Sequence, residues 1–245
     1  MSNNFDIVIC LGHKDLNIIN LMVNYTKNNI IGYRNIYIIS FDKNIKIDGC
    51  ITIDENIFPF NKIDIEKHLC QYSYKSCWYL QQLLKFYAVF VIDGILDNIL
   101  IIDSDTCFFK ETSFFEDNKP LYNYDIQNHL PYFQHMEKLH PSLKRQDINK
   151  SGISHHMVFQ KNILLNLFKL IQDYHNKDFF QVFIESINPE DGNGASEYEI
   201  YFNFILYYHN DDIKLRKLNY DNRRRDFSLI NNNHNYDYIS YHNYL

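Results

Sequence analysis

NILIIDSDT, residues 98–106, is the stretch that decides the fold. Ile99, Leu100, Ile101 and Ile102 make an unbroken aliphatic run, the pattern of a strand buried on both faces. The run ends in Asp103-Ser104-Asp105-Thr106, so a buried strand delivers two carboxylates, one residue apart, to its carboxyl end. Hard divalent cations prefer oxygen ligands, and a metal held by one or two carboxylates can also hold substrate phosphates. On its own, Asp-x-Asp is as often a turn or a cap. Directly behind a four-residue aliphatic strand, a functional role is the better reading.

Upstream, the strand signal repeats at residues 6–11 (DIVICL), 35–40 (NIYIIS) and 50–53 (CITI). Between the first two, Asp15 is placed to cap a helix through LNIINLMVNYTKN, with Leu16, Ile19 and Val23 at helical spacing. A long helix opens at Ser76 and runs to about Ile92. Strands alternating with helices predict an α/β fold, with a largely parallel sheet covered on both faces. Ligands of such sheets sit at the carboxyl ends of the strands.

Downstream the pattern is less regular. Residues 122–141 read as loop with a short helix, 155–160 (HHMVFQ) as a strand and 162–174 as a helix. Residues 190–194 (EDGNG) form a polar loop, Ser196 starts another helix, and 213–218 is the final strand before an Arg- and Asn-rich tail. No repeat or linker divides the chain. One domain over 1–245 is expected, with residues 1–105 looking like a nucleotide-binding α/β half and residues 106–245 making the second half and the C-terminal tail.

Composition narrows the classes. The 245 residues are 46% hydrophobic and 22% charged, which excludes a disordered or fibrous chain. A net charge of -6 argues against nucleic acid as a partner. The abundant Ile, Asn, Lys, Tyr and Phe are residues of AT-rich codons, so Asn frequency carries no functional weight. Five cysteines, odd in number and without a C-x-x-C pair, argue against a disulfide framework or a cysteine zinc site. The start shows no signal-peptide pattern, and no stretch reaches the ~18 apolar residues of a membrane span. A cytoplasmic protein is the expectation, and the sequons at Asn24 and Asn149 then mean nothing.

In SCWYLQQLLKFYAVFV, residues 76–91, Leu80, Leu83, Leu84 and Tyr87 form an apolar stripe, while Trp78, Gln81, Gln82 and Lys85 share another face. That second face is either solvated or turned to a ligand, with Lys85 reaching a diphosphate and Gln82 a sugar or nucleotide. This W-x-x-Q-Q-x-x-K helix leading into DSDT resembles the DxD-type glycosyltransferases of the GT-A fold. It is similar to a group of poorly characterised glycosyltransferase-like proteins of microbes and large viruses. The likeness spans most of the chain, including the later HHMVF and SEYE segments.

The resemblance implies a single GT-A domain, a mostly parallel central sheet flanked by helices. It implies metal-dependent transfer of a sugar from a nucleotide diphosphate sugar, UDP-linked, to a hydroxyl of a glycan, protein or small molecule. Mn²⁺ or Mg²⁺ is the implied cofactor. Asp105 and Asp103 would hold the metal, with His242 completing the shell. Asp103 and Ser104 would also touch the nucleotide sugar, as would Trp78. Gly12 and His13, after the first strand, fall where uracil or ribose is held, and Asp54 follows the third strand similarly.

Ser196-Glu-Tyr-Glu199 reads as a capping box, with Glu199 returning to the Ser196 backbone. Glu197 then faces loop 191–194, as general base toward an acceptor hydroxyl or as a first-turn acid favoured by the helix dipole. His155 and His156 open a strand, so alternation sends their side chains to opposite faces; we assign His156 to a sugar or acceptor contact. Arg223-Arg224-Arg225 is a solvated surface run or a phosphate-facing loop. Two other classes compete. A haloacid-dehalogenase-type phosphatase also uses Asp-x-Asp after a strand, but Cys107 stands where its motif wants Thr or Val. A catalytically inactive nucleotide- or sugar-binding module fits the same residues without turnover.

Overall fold

The expected strands form, and they pair with one another. The structure, a computed structural model, describes residues 5–191, 193–225 and 235–242 and is mixed α/β. β1 (Phe5–Leu11) is buried at every residue because it lies at the centre of the main sheet. After α1 (Ile19–Asn29), β2 (Tyr33–Ser40) and β3 (Ile51–Asp54) extend the sheet to one side. Next come α2 (Lys62–Leu69), α3 (Ser76–Val91) and β4 (Asn98–Asp103), which returns to the other side of β1. β1 to β4 are parallel neighbours in the order β3-β2-β1-β4.

Three short strands follow: β5 (Thr106–Phe108), β6 (Phe115–Glu116) and β7 (Lys119–Asn123). α4 (Leu130–Leu139) then leads to β8 (His156–Gln160), which pairs antiparallel with β4 and closes the main sheet at five strands. α5 (Lys161–His175), α6 (Phe179–Glu185) and α7 (Glu197–Tyr208) precede β9 (Lys214–Arg216), β10 (Tyr220–Arg224) and β11 (Tyr238–His242). β11 lies between β10 and β5 in a second sheet, and β6-β7-β9 form a third. Among the described residues no helix is long and apolar enough to cross a membrane.

Alternation along β8 shows what covers each face of the sheet. Phe159 stacks on Phe86 of α3 at 5.5 Å and meets Tyr201 of α7 at 4.5 Å. His156, pointing the other way, packs against Phe108, Phe114 and Tyr238. Helices therefore cover one face here, while an aromatic layer from the smaller strands covers the other. The expected helices on both faces are corrected to that extent.

Three further expectations change. Asp15 does not cap α1, which begins at Ile19 behind Ile18; Asp15 sits in a short 3-10 turn and is buried, and Leu16 is exposed. A buried carboxylate needs partners, and Asp15 has them elsewhere in the fold. His155 is not part of β8: its φ of 57° breaks the strand at that point. Residues 213–218 supply β9 but not the last strand, since the Arg run lies in β10 and just beyond it, and β11 follows. The Asn-rich part of the tail, 226–234, lies outside the described residues.

Candidate functional site

The register of the main sheet gathers the strand ends. Cys10 pairs with Asp103, Leu11 with Ser40, and Ser40 with Asp54. β2 and β4 flank β1 on opposite sides, so the chain reverses its winding between β1 and β4. Such switch points open a crevice outside the carboxyl ends. Asp103-Ser104-Asp105 lies at that crevice, with Gly12 and His13 beyond β1 beside it. His13 is exposed and stacks on Phe41, ring centroids 3.4 Å apart. Asp54 stands two strands away. Its Oδ1 accepts from the backbone N–H and the side-chain amide of Asn56, which hold its carboxyl below the usual value.

Lys85 lies at the centre of the network. α3 contains no Gly or Pro and buries more than one side, because it packs on β1, β4 and α7 together. The Trp78-to-Lys85 face is therefore not solvated: Gln82 and Lys85 are 2% and 3% exposed. The Lys85 ammonium donates to Asp103 Oδ1 at 2.6 Å, to Glu197 Oε1 at 2.5 Å and to the Tyr198 hydroxyl at 3.3 Å. Tyr198 in turn donates to Asp103 Oδ1 at 3.0 Å, and His155 Nδ1 lies 3.3 Å from Asp103 Oδ2. Two carboxylates thus share one ammonium in a nearly dry setting.

Burial disfavours every charge in this group, but the partners decide the outcome. Burial alone would depress Lys85; Asp103 and Glu197 outweigh it and raise its pKa well above the usual lysine value. Burial would raise Asp103; the Lys85 charge and the His155 contact outweigh it and hold the carboxyl well below the carboxylate range. For Glu197 burial prevails, and its pKa is raised. The sign for Asp103 follows from linkage. A carboxyl depressed on folding contributes stability that is present above its ordinary value of 3.8 and lost as pH falls below it. Denaturant titrations between pH 5 and 2.5 should show the wild type losing stability more steeply than Asp103→Asn. Parallel slopes would mean that Asp103 is not held as described.

The second carboxylate is organised separately. Asp105 Oδ2 lies 3.2 Å from His242 Nδ1 and 3.9 Å from Arg225 Nη2. His242 is 6% exposed within β11, and its Nε2 meets Asn222 Oδ1 at 3.0 Å. Ser104 Oγ donates to Asp15 Oδ2 at 2.5 Å, and Arg225 donates to Asp15 Oδ1 at 2.5 Å and to the Lys14 carbonyl at 2.6 Å. Within the Arg run, Arg223 pairs with Asp221, Arg224 is exposed, and Arg225 fastens the loop after β1 to β11. Among the described residues no group of three or more His, Cys, Asp or Glu side chains is placed to hold a metal ion. Asp103, Asp105 and His242 are of donor types that Mn²⁺ or Mg²⁺ accept, but both ring nitrogens of His242 are engaged, with Asp105 and Asn222, so the three do not form a ready metal site.

Three sequence assignments are corrected. His156 is buried against aromatic rings, which together push its pKa well below the ordinary histidine value through burial, and it does not face the crevice; His155 does. Glu199 makes only half of a capping box: its N–H donates to Ser196 Oγ, but its carboxylate accepts from Ser151 and Asn203. Glu197 does not face loop 191–194 but the Lys85 ammonium. Trp78 and Gln82 stay at the site, and both donate to the Ala195 carbonyl, at 3.3 and 2.9 Å. Asp15, His155, Tyr198 and Arg225 were not foreseen as site residues. Arg225 had a visible signal as part of a basic run in an acidic chain, and His155 as the other member of the His155-His156 pair.

A small, part-open cleft of about 70 Å³ lies among Trp78, Gln82, Lys85, Asp103, His155 and Glu197. A larger groove, about 600 Å³, runs beside Tyr87, Leu165 and Phe180, away from the strand ends and mostly apolar. Chemistry, not volume, selects the cleft as the site. Comparison with known proteins adds no relative to this geometry: no family model matches the chain, and no curated protein does.

Proposed function

We propose that the protein is a metal-dependent glycosyltransferase of the GT-A kind. It moves a sugar from a nucleotide diphosphate sugar, UDP-linked in this reading, to an acceptor hydroxyl on a glycan, protein or small molecule. One observation carries the proposal: a buried parallel strand delivers Asp103-Ser104-Asp105 to the switch-point crevice, with the buried Glu197 carboxylate beside it. Asp105 with His242, and Asp103 through its second oxygen, would hold Mn²⁺ or Mg²⁺. Such a cation supplies charge neutralisation for a departing diphosphate. Glu197 takes the acceptor proton, and a carboxyl raised by burial is the more basic for it. Lys85 positions both carboxylates. Its ammonium is enclosed by them, so the diphosphate lies nearer Asp105 than Lys85.

Asp105→Asn is expected to abolish Mn²⁺-dependent UDP binding while leaving the melting temperature nearly unchanged. Calorimetric titration of UDP with and without Mn²⁺ measures this, and undiminished binding in the variant would sink the assignment. A second reading, a sugar- or nucleotide-binding module without turnover, is favoured by the engagement of both Asp103 and Glu197 with Lys85. Turnover of any member of a UDP-, GDP- and TDP-sugar panel with Mn²⁺ separates the two.

A further inference from the structure

Two loops beside the crevice leave large aliphatic side chains in water. Ile126, Leu130 and Ile148 are 69%, 62% and 78% exposed, and among the described large hydrophobic residues only Tyr74 is as bare. A single exposed isoleucine needs no explanation, but three such side chains on loops that are fastened together do. Asp125 and Ser151 pair backbone to backbone, which joins the two loops at one end. Arg145 joins them again: its guanidinium donates to the carbonyls of Gln127 and Asp147 and to Asn128 Oδ1. Ile126 and Ile148 are the chain neighbours of Gln127 and Asp147, so one guanidinium holds both tips on the same edge. The segments continue to the crevice, where Tyr132 and Ile153 line the cleft.

The chain carries a net charge of -6, yet this edge is cationic. Lys150 and Lys217 both place Nζ over the Tyr124 ring, at 5.8 and 5.1 Å, two residues before Ile126. Lys144 is exposed four residues before Ile148. The nearby acids are engaged, Asp147 with Lys150 and Asp125 with the Tyr220 hydroxyl. Among the described residues neither Lys144 nor Lys217 has a carboxylate partner. Aliphatic tips flanked by ammonium groups match the layered chemistry of a bilayer surface. The tips enter the acyl boundary, the lysine stems lie along it, and the ammoniums meet anionic headgroups. We infer that this edge docks the protein reversibly on an anionic lipid bilayer and so brings the crevice to the membrane surface. The docking does not depend on which reaction the crevice performs.

Sedimentation of the full chain with phosphatidylcholine vesicles, with and without about one third phosphatidylserine, tests the inference. The protein should sediment with the mixed vesicles several-fold more than with pure phosphatidylcholine, and added salt should shrink the difference. Combining Ile126→Ser with Ile148→Ser should lower partitioning by at least about tenfold, since one aliphatic side chain leaving water is worth roughly that. Leu165→Ser, at the apolar groove beside α5, should change nothing. Lys144→Glu with Lys217→Glu should remove the preference for phosphatidylserine, and it decides the question if the isoleucine variant melts early. No sedimentation with mixed vesicles, or undiminished sedimentation of both double variants, overturns the inference. So does a concentration-dependent dimer in place of vesicle binding, abolished by the isoleucine changes, which would make the edge an interface between copies. No nucleotide sugar enters the assay, so failure here leaves the glycosyltransferase reading standing.

Discussion

Lys85→Met should lower stability by about 3–5 kcal/mol, because it leaves Asp103 and Glu197 buried and facing each other with no cation between them. In a chain of this size that is a fall of roughly 10 °C in melting temperature. Truncating one member of a buried charge group costs more than the group's net worth, since the stranded charges cannot reach water. Adding Glu197→Gln to Lys85→Met should therefore recover part of the loss. Thermal melts of the two single variants and the double variant measure both effects. A melting temperature that stays put in Lys85→Met, with weakened UDP binding instead, would restore Lys85 to the role of a phosphate-facing surface residue.

Glu197→Gln should reduce kcat by about 10²- to 10⁴-fold, the usual worth of a general base, with the donor KM little changed. Glutamine preserves the shape and can still accept from Lys85, but it cannot take a proton from an acceptor hydroxyl. Glu199→Gln is the internal comparison. Its carboxylate is turned to Ser151 and Asn203, so turnover should persist while stability drops. The reverse pattern, with Glu199→Gln inactive and Glu197→Gln active, would exchange the two assignments. The limb of the pH–rate profile reporting the base should disappear in Glu197→Gln and stay in Glu199→Gln.

The sheet was legible because its signal is local. An aliphatic run such as residues 99–102 has few alternatives to a buried strand, and one that ends in two aspartates marks the edge where ligands gather. Trp78, Gln82 and Lys85 were legible for the same reason, since helical spacing alone sets them on one face. What they touch was not. Lys85 and Glu197 lie 112 residues apart, and no local pattern predicts that pair. His155 and His156 show the limit of alternation. The rule holds only inside a strand, and the positive φ of His155 lies one residue outside it. Asp15 misled for a related reason. An aspartate before a helical pattern is a good cap, and only the tertiary fold brings Ser104 and Arg225 to compete for it.

The pairing of β11 with β5 has a consequence for how the protein comes into being. Thr106 and Ser240 join hydroxyls across 134 residues, and Asp105 meets His242 across 137. On the ribosome the four parallel strands of the main sheet emerge first, and all lie within the first 103 residues. The strand that brings His242 to Asp105 and accepts Arg225 on Tyr241 emerges more than a hundred residues later. In the finished fold that strand covers one side of Asp105. The four parallel strands are thus made long before the crevice can be completed, and a product cut short of residue 238 would lack the second half of its carboxylate pair's surroundings.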